Sequence, residues 1–259
     1  QAQGLDGGWS LPPGKAGALE AIERLGYVQI DTIAVVERAH HHTLWTRCPD
    51  YSPDMLHELL AEDRSVFEYW THAASYVPMS HYRHYLPRMR AHANGHHTWY
   101  CTREAQELVE HVLGRIRAEG ALCSADFKAP DDRNRGPWWD WKPAKRAMEM
   151  LFSMGKLMVS ERRNFHRLYD LAERVLPERL DTSVPSDAEL AEFRMRQRLS
   201  AQGLVRSGEQ NWRFRESDAD GAVLAAMADA GEIVTVRVGG RDGQDYYVLA
   251  DALDRAKKR

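Results

Sequence analysis

Between Lys142 and Leu171 the spacing of apolar residues changes period, and this change restricts the fold more than any other feature of the chain. In "KPAKRAMEMLFSMG" the residues Ala147, Met150, Leu151 and Met154 recur at three and four, the spacing of one helix face. Beyond Gly155, "KLMVSERRNFHRLYDL" alternates and turns around Arg163-Asn164, which predicts a β-hairpin. Lys142, Lys145 and Arg146 sit near the start of the helix, and Arg162, Arg163 and Arg167 surround the turn. A basic helix feeding directly into a hairpin belongs to an α+β chain, mainly α.

The helical period returns in the stretches before this one. "PPGKAGALEAIERLG" carries Leu19, Ile22 and Leu25 on one face and ends at Gly26; "SPDMLHELLAED" carries Leu56, Leu59 and Leu60, with Ser52 and Pro53 at its start. "YVQID" between them predicts a short strand. "SVFEYWTHAASYVP" is aromatic and β-prone at both ends. "MSHYRHYLPRMRAHANGHH" is a basic, histidine-rich helix or loop, broken near Pro87 and at Asn94-Gly95. "TREAQELVEHVLGRIRAEG" predicts a long helix, "CSADF" a short one capped by Ser124, and "DDRNRGPWWDW" a loop.

Helix, helix, basic helix, hairpin is the order of a winged helix, whose third helix can enter the major groove while the hairpin touches the backbone. A small α+β domain without a DNA role has the same order. Beyond "AERVLPERLDTSVPS" the order repeats: "DAELAEFRMRQRLSAQG" starts a helix at Ser186 or Asp187, "ADGAVLAAMADAGE" is another, and "IVTVRVGGRDGQDYYVL" is a hairpin with a glycine-rich turn. No repeat at fixed period accompanies it. Three units are expected: 1–101, 102–180 and 181–259.

Composition narrows the function classes. With 259 residues and 43% hydrophobic residues the chain can bury a core. No window approaches about 18 apolar residues, so no membrane span is expected. Cys48, Cys101 and Cys123 are an odd number at long spacings, which indicates neither a disulfide framework nor a structural zinc site. A reducing cytoplasm is the expected compartment. The net charge of −3 hides a local excess: from Lys128 to Arg174 eleven Lys/Arg face seven Asp/Glu. Such a face can meet phosphate. Ten of the twelve histidines fall between His40 and His97.

Three constellations carry chemistry. In "AHHHT", His40, His41 and His42 are adjacent, and adjacent residues on a helix point about 100° apart, which suits phosphate contacts better than a shared metal. A polar helix end is the plainer reading. In "QID", Gln29 and Asp31 share one face of a strand with Ile30 on the other. A carboxylate and an amide about 6–7 Å apart can bracket one water, the first taking its proton and the second fixing its place. The alternative is structural, with Asp31 capping the next helix. In "FEYWTHAAS", Glu68, Trp70 and His72 could form an acid/base or base-stacking site, or a capped, partly buried helix end.

"LGYVQIDTIAVVERAHHHTLWTR", "VFEYWTHAASYVP" and "HRLYDLAERVLP" together closely resemble the bacterial winged-helix DNA glycosylases of the YcaQ/AlkZ type, densely from about Gly4 to Pro177 and more weakly beyond. The resemblance implies tandem winged helices around a concave, basic DNA channel. It implies a catalytic motif of Gln, an aliphatic residue, then Gln or Asp, here Gln29-Ile30-Asp31 in the Asp form. That form goes with the branch acting on N7-alkylguanine monoadducts and interstrand crosslinks. Asp31 would activate water and stabilise the sugar cation, and Gln29 would position the water. Arg38, His40, His41, His42 and Arg47 would approach the lesion strand. Lys142, Lys145, Arg146, Arg162, Arg163 and Arg167 would hold phosphates, with Glu68, Trp70 and His72 as neighbours of the site. The implied partner is double-stranded DNA bearing alkylated or crosslinked purines, met by a monomer in the cytoplasm, at the nucleoid when bound, with no membrane, metal or organic cofactor. The chain stops at "DALDRAKKR" and opens without Met, so the family's further C-terminal β-rich region is expected to be missing and the N-terminus to be clipped. A winged-helix regulator that binds DNA without chemistry, and a metal hydrolase built on the histidines, are the rival expectations.

Overall fold

The computed structural model describes residues 2–95, 103–127, 143–206, 218–239 and 245–257. In chain order the elements are α1 (Gly14–Leu25), β1 (Val28–Gln29), α2 (Ala39–Trp45), α3 (Pro53–Ala61), β2 (Val66–Trp70), β3 (Ala74–Pro78), a 3₁₀ segment (Met79–Tyr85) and α4 (Leu86–Ala93). There follow α5 (Arg103–Glu119), a 3₁₀ turn (Ser124–Asp126), α6 (Pro143–Ser153), β4 (Leu157–Arg163), β5 (His166–Leu171) and α7 (Ala172–Val175). The last are α8 (Asp187–Gln202), β6 (Val205–Arg206), α9 (Asp218–Asp229), β7 (Ile233–Arg237), β8 (Asp245–Leu249) and α10 (Ala250–Lys257). The α+β class, mainly helical, is the one expected, and the sheets of the described residues are small.

Packing divides the chain into two compact units. One is discontinuous, Gln1–Ser52 with Val184–Arg259, and the other is Pro53–Ser183. Element order suggests divisions at 101 and 180, but packing places them at 52 and 183 because the chain folds back. Helix α1 lies on α8 within the first unit. Gly26 ends α1 in the left-handed conformation, φ 81°. Its carbonyl accepts from Gln197 Nε2 of α8 at 3.3 Å, and a Cβ there would lie 2.8 Å from Gln197 Cγ. Glycine at this position therefore meets both a backbone and a close-packing demand.

Ser186, one of the two residues expected at the start of α8, is its cap. Its Oγ accepts from the Glu189 amide at 3.3 Å, and Glu189 Oε2 accepts from the Ser186 amide at 2.8 Å, a reciprocal capping box. Met195, Leu199, Val205, Met227 and Ile233 form the core shared by α8, α9 and the sheet ordered β6-β8-β7. The glycine-rich turn expected between β7 and β8 falls at 240–244, outside the described residues.

In the second unit β2 and β3 form an antiparallel hairpin with Glu68 opposite Tyr76. Pro87 does not break the following segment. It stands in the first turn of α4, where its missing N–H has no helical partner to lose. The short helix expected at "CSADF" is a single 3₁₀ turn capped by Cys123 rather than Ser124, with the Cys123 amide donating to Asp126 Oδ2 at 2.7 Å. Leu122 bridges to Tyr169, so this turn is bound to β5 instead of extending. The β4–β5 hairpin turns at Asn164 and Phe165, φ 47° and 67°, one residue beyond the expected Arg163-Asn164, because Arg163 still pairs with His166 and the two positive values of a tight two-residue turn fall after it. At the other end of the unit Arg174 donates to the carbonyls of Ile116 (3.1 Å) and Arg117 (2.8 Å), satisfying the last turn of α5. The tryptophan-bearing loop "DDRNRGPWWDW" and Lys142 lie outside the described residues.

Candidate active site

The regular strand is shorter than "YVQID" suggests and ends at Gln29. Sidedness nevertheless persists through the next two residues: Gln29 is exposed, Ile30 is buried and Asp31 is half-buried. Asp31 is locked from both its backbone and its side chain. Its amide donates to His40 Nδ1 at 3.3 Å, and its Oδ1 accepts from the Ile33 amide at 2.8 Å. Among the described residues the side chain takes no further hydrogen bond, so Oδ2 is the oxygen not used in holding the loop. The second bond is an Asx turn rather than a helix cap.

Arg38 closes this loop. Its Nη1 donates to the Thr32 carbonyl at 2.5 Å and its backbone bridges to Ala34. The three histidines then take three separate directions, as a 100° step per residue requires. His40 is buried beneath Asp31. With Nδ1 as acceptor, its ring proton is on Nε2. His41 Nδ1 shares a hydrogen bond with Tyr51 Oη at 2.7 Å. His42 is exposed and donates from Nε2 to the Glu37 carbonyl at 3.2 Å. No group of three or more His, Cys, Asp or Glu among the described residues is arranged to hold a metal ion.

Burial lowers the pKa of His41 below the usual 6.5; Arg38 and His42 add to this and Glu37 opposes it. The unfolded chain therefore binds the proton more readily, so this residue costs stability as pH falls from about 6.5 towards the depressed folded value. His41→Gln is expected to reduce the loss of the urea midpoint between about pH 7.5 and about pH 5.5, while leaving the neutral-pH midpoint little changed.

Arg47 does not present its guanidinium outward. Nε donates to the Gln3 carbonyl at 2.8 Å and Nη1 to the Thr43 carbonyl at 2.7 Å, with the guanidinium 5.9 Å from the Trp9 ring centre. It ties the N-terminal segment to α2.

In the second unit Glu68 lies on β2 and its side chain is 0% exposed. It is neither at a helix end nor at a surface. Arg162 Nε and Nη2 grip its two oxygens, the latter at 2.8 Å, and Arg167 Nε donates to Oε2 at 2.9 Å. Arg167 Nη1 also reaches Glu149 Oε1 at 3.3 Å, to which Tyr169 Oη donates at 3.1 Å. Burial alone would lower the pKa of Arg167, but Glu68, Tyr169 and Glu149 outweigh it and raise the value. Arg162 and Arg167, expected to hold phosphates, are thus turned inward with side chains 11% and 15% exposed. Sequence reasoning missed Glu149 and Tyr169 as members of this cluster. The available signal was Glu68 itself: a carboxylate inside the buried run Val66–Tyr69 requires cations from elsewhere.

Trp70 is half-exposed at the end of β2 and His72 is exposed in the β2–β3 turn. Arg88 Nη1 holds that turn by donating to the carbonyls of Trp70 (2.7 Å) and Thr71 (3.0 Å). Arg163 is exposed at the β4–β5 tip and pairs with Glu161 at 2.5 Å. Lys145 and Arg146 are exposed on the first turns of α6. Among the described residues, no helix is long and apolar enough to cross a membrane.

Two comparisons bear on this arrangement. The family model described as "DNA glycosylase AlkZ-like" matches residues 22–259. The solved structure of the Streptomyces sahachiroi DNA glycosylase AlkZ is similar to this chain with a TM-score of 0.65 at 18% sequence identity, over 98% of this chain and 69% of that one.

Proposed function

The chain belongs to the AlkZ-like DNA glycosylase family, and on that premise we propose that it hydrolyses the N-glycosidic bond of N7-alkylated purines in duplex DNA, including purines joined in interstrand crosslinks. The observation that carries this reading is the state of Asp31: fixed through its amide and Oδ1, with Oδ2 taking no further hydrogen bond among the described residues, and followed by five exposed residues, Thr32 to Val36. Such a carboxylate can take a proton from water and face the positive charge that grows on the sugar as the base departs. Gln29, exposed two residues earlier, supplies the amide that orients the water.

The leaving group explains why so little machinery suffices. Alkylation at N7 makes the guanine cationic, so it departs without strong protonation by the protein. A base tethered to the opposite strand cannot rotate fully into an enclosed pocket, as many base-processing enzymes require. A carboxylate on a surface loop suits it better. Incubation with a duplex carrying one N7-methylguanine tests the proposal: free base should be released. A duplex that is bound tightly while its base stays attached would instead favour a regulator without chemistry.

The order α5, 3₁₀ turn, α6, β4–β5 hairpin supports reading Arg103–Leu171 as a winged helix. In this reading Arg163 at the hairpin tip and Lys145 and Arg146 on α6 meet phosphates, whereas Arg162 and Arg167 hold the hairpin against Glu68. The double variant Lys145→Glu/Arg163→Glu should weaken duplex affinity and flatten its dependence on salt by about one unit of log–log slope for each phosphate no longer neutralised. An unchanged slope in a fluorescence-anisotropy titration would remove both residues from the interface.

A further inference from the structure

The loop that follows Asp31 displays apolar side chains where a water-soluble surface ordinarily would not. Ile33, Val35 and Val36 are 71%, 91% and 89% exposed, and all three lie in one four-residue stretch, Ile33-Ala34-Val35-Val36. Single exposed apolar residues are ordinary, but a contiguous group of this kind marks a place that something covers. The loop is also held rigidly. The Asx turn of Asp31 fixes its entry, the Ala34–Arg38 bridge closes it, and Arg38 Nη1 staples its far end to the Thr32 carbonyl. Its three large side chains are β-branched and stiff at χ1, so little rotamer freedom remains to be lost when they are covered.

We propose that Ile33, Val35 and Val36 form a wedge that enters the base stack beside the damaged nucleotide and unstacks it, while Asp31 attends to the sugar. This inference rests on the DNA glycosylase reading. Two observations select stacked bases as the occupant. The loop begins two residues after the proposed catalytic carboxylate, so whatever Asp31 approaches, the loop approaches too. The three side chains are 71–91% exposed on one four-residue loop rather than spread over a helix or sheet face, as suits the apolar wedges that part base steps at a cost of a few kcal/mol recovered through the larger interface that follows. Partial unstacking would also loosen a crosslinked base that cannot rotate out of the duplex.

The test uses the full chain and a short duplex bearing one N7-methylguanine on a 2′-fluoro sugar, which slows base loss, with 2-aminopurine as its neighbour. Wild type should raise the 2-aminopurine emission severalfold at saturation. Val35→Ser/Val36→Ser should raise it by less than half as much and bind the duplex about tenfold more weakly. Val35→Leu/Val36→Leu, which keeps the apolar surface, should retain the wild-type rise. Both positions are exposed, and matching thermal transitions will show that the variants fold alike. An equal rise with the serine pair, or no rise with wild type, overturns the wedge. Binding of wild type to anionic phospholipid vesicles that the serine pair loses, with the DNA signal unaltered, overturns it as well. Asp31→Asn separates the two claims. If that variant still releases base from the natural-sugar duplex, the catalytic assignment fails, and a wild-type rise in emission would still support the wedge.

Discussion

Asp31→Asn is expected to lower the rate of N7-methylguanine release by about 10²- to 10⁴-fold, the range associated with losing a positioned acid/base group. Asparagine preserves size and can still accept from the Ile33 amide through its carbonyl oxygen, so the loop should keep its shape. What disappears is the proton acceptor and the negative charge facing the sugar. Duplex affinity should change little, because a residue acting mainly in the transition state alters turnover more than binding. Gln29→Ala should cost less, since water can still reach the carboxylate but loses its fixed orientation. The deciding measurement is single-turnover release of free base by both variants and wild type. Release by Asp31→Asn at the wild-type rate would leave Asp31 a loop-forming residue and send the search for the catalytic group elsewhere.

Glu68→Leu is expected to destabilise the second unit by about 3–5 kcal/mol, the usual cost of removing one partner from a buried ionic cluster. The variant leaves Arg162 and Arg167 facing apolar surroundings without their shared carboxylate. Glu149 can answer only one of them, through Arg167 Nη1. Leucine itself would pack acceptably in the run Val66–Tyr69, so the loss reports the stranded cations rather than a cavity. The triple variant Glu68→Leu/Arg162→Met/Arg167→Met should recover much of the stability, because apolar residues of similar volume often replace a buried ionic group at little cost. Urea denaturation followed by circular dichroism distinguishes the cases. If Glu68→Leu alone unfolds at the wild-type midpoint, the cluster is not what anchors the hairpin.

The two predictions separate two kinds of carboxylate that look alike along the chain. Asp31 and Glu68 each interrupt an apolar stretch next to aromatic or aliphatic neighbours. One stands at a loop with one oxygen not used in holding it, and the other is enclosed by two guanidinium groups. The difference arises from what lies across the fold from each.

Local physics was readable in advance. The switch of apolar period at Gly155 marks where α6 gives way to β4, and a hairpin follows whose turn lies at Asn164-Phe165, one residue beyond the expected Arg163-Asn164. Ser186 was one of the two residues expected to start α8, and Ile30 between two polar residues announces which side of the chain is buried. Each of these depends on neighbours within a few positions, and side-chain periodicity expresses such neighbours directly. Long-range choices were not readable in this way. Arg162 meets Glu68 across 94 residues of sequence, and Gln197 meets Gly26 across 171. A basic residue beside a turn looks the same whether its charge faces solvent or a buried carboxylate. Desolvation decides between them, because an enclosed Glu68 without cations would be far costlier than two arginines withdrawn from the surface. The sequence alone thus carried the longer helices, the hairpins and the sidedness of Gln29 and Asp31, while tertiary packing assigned each charged group to the interior or to the surface.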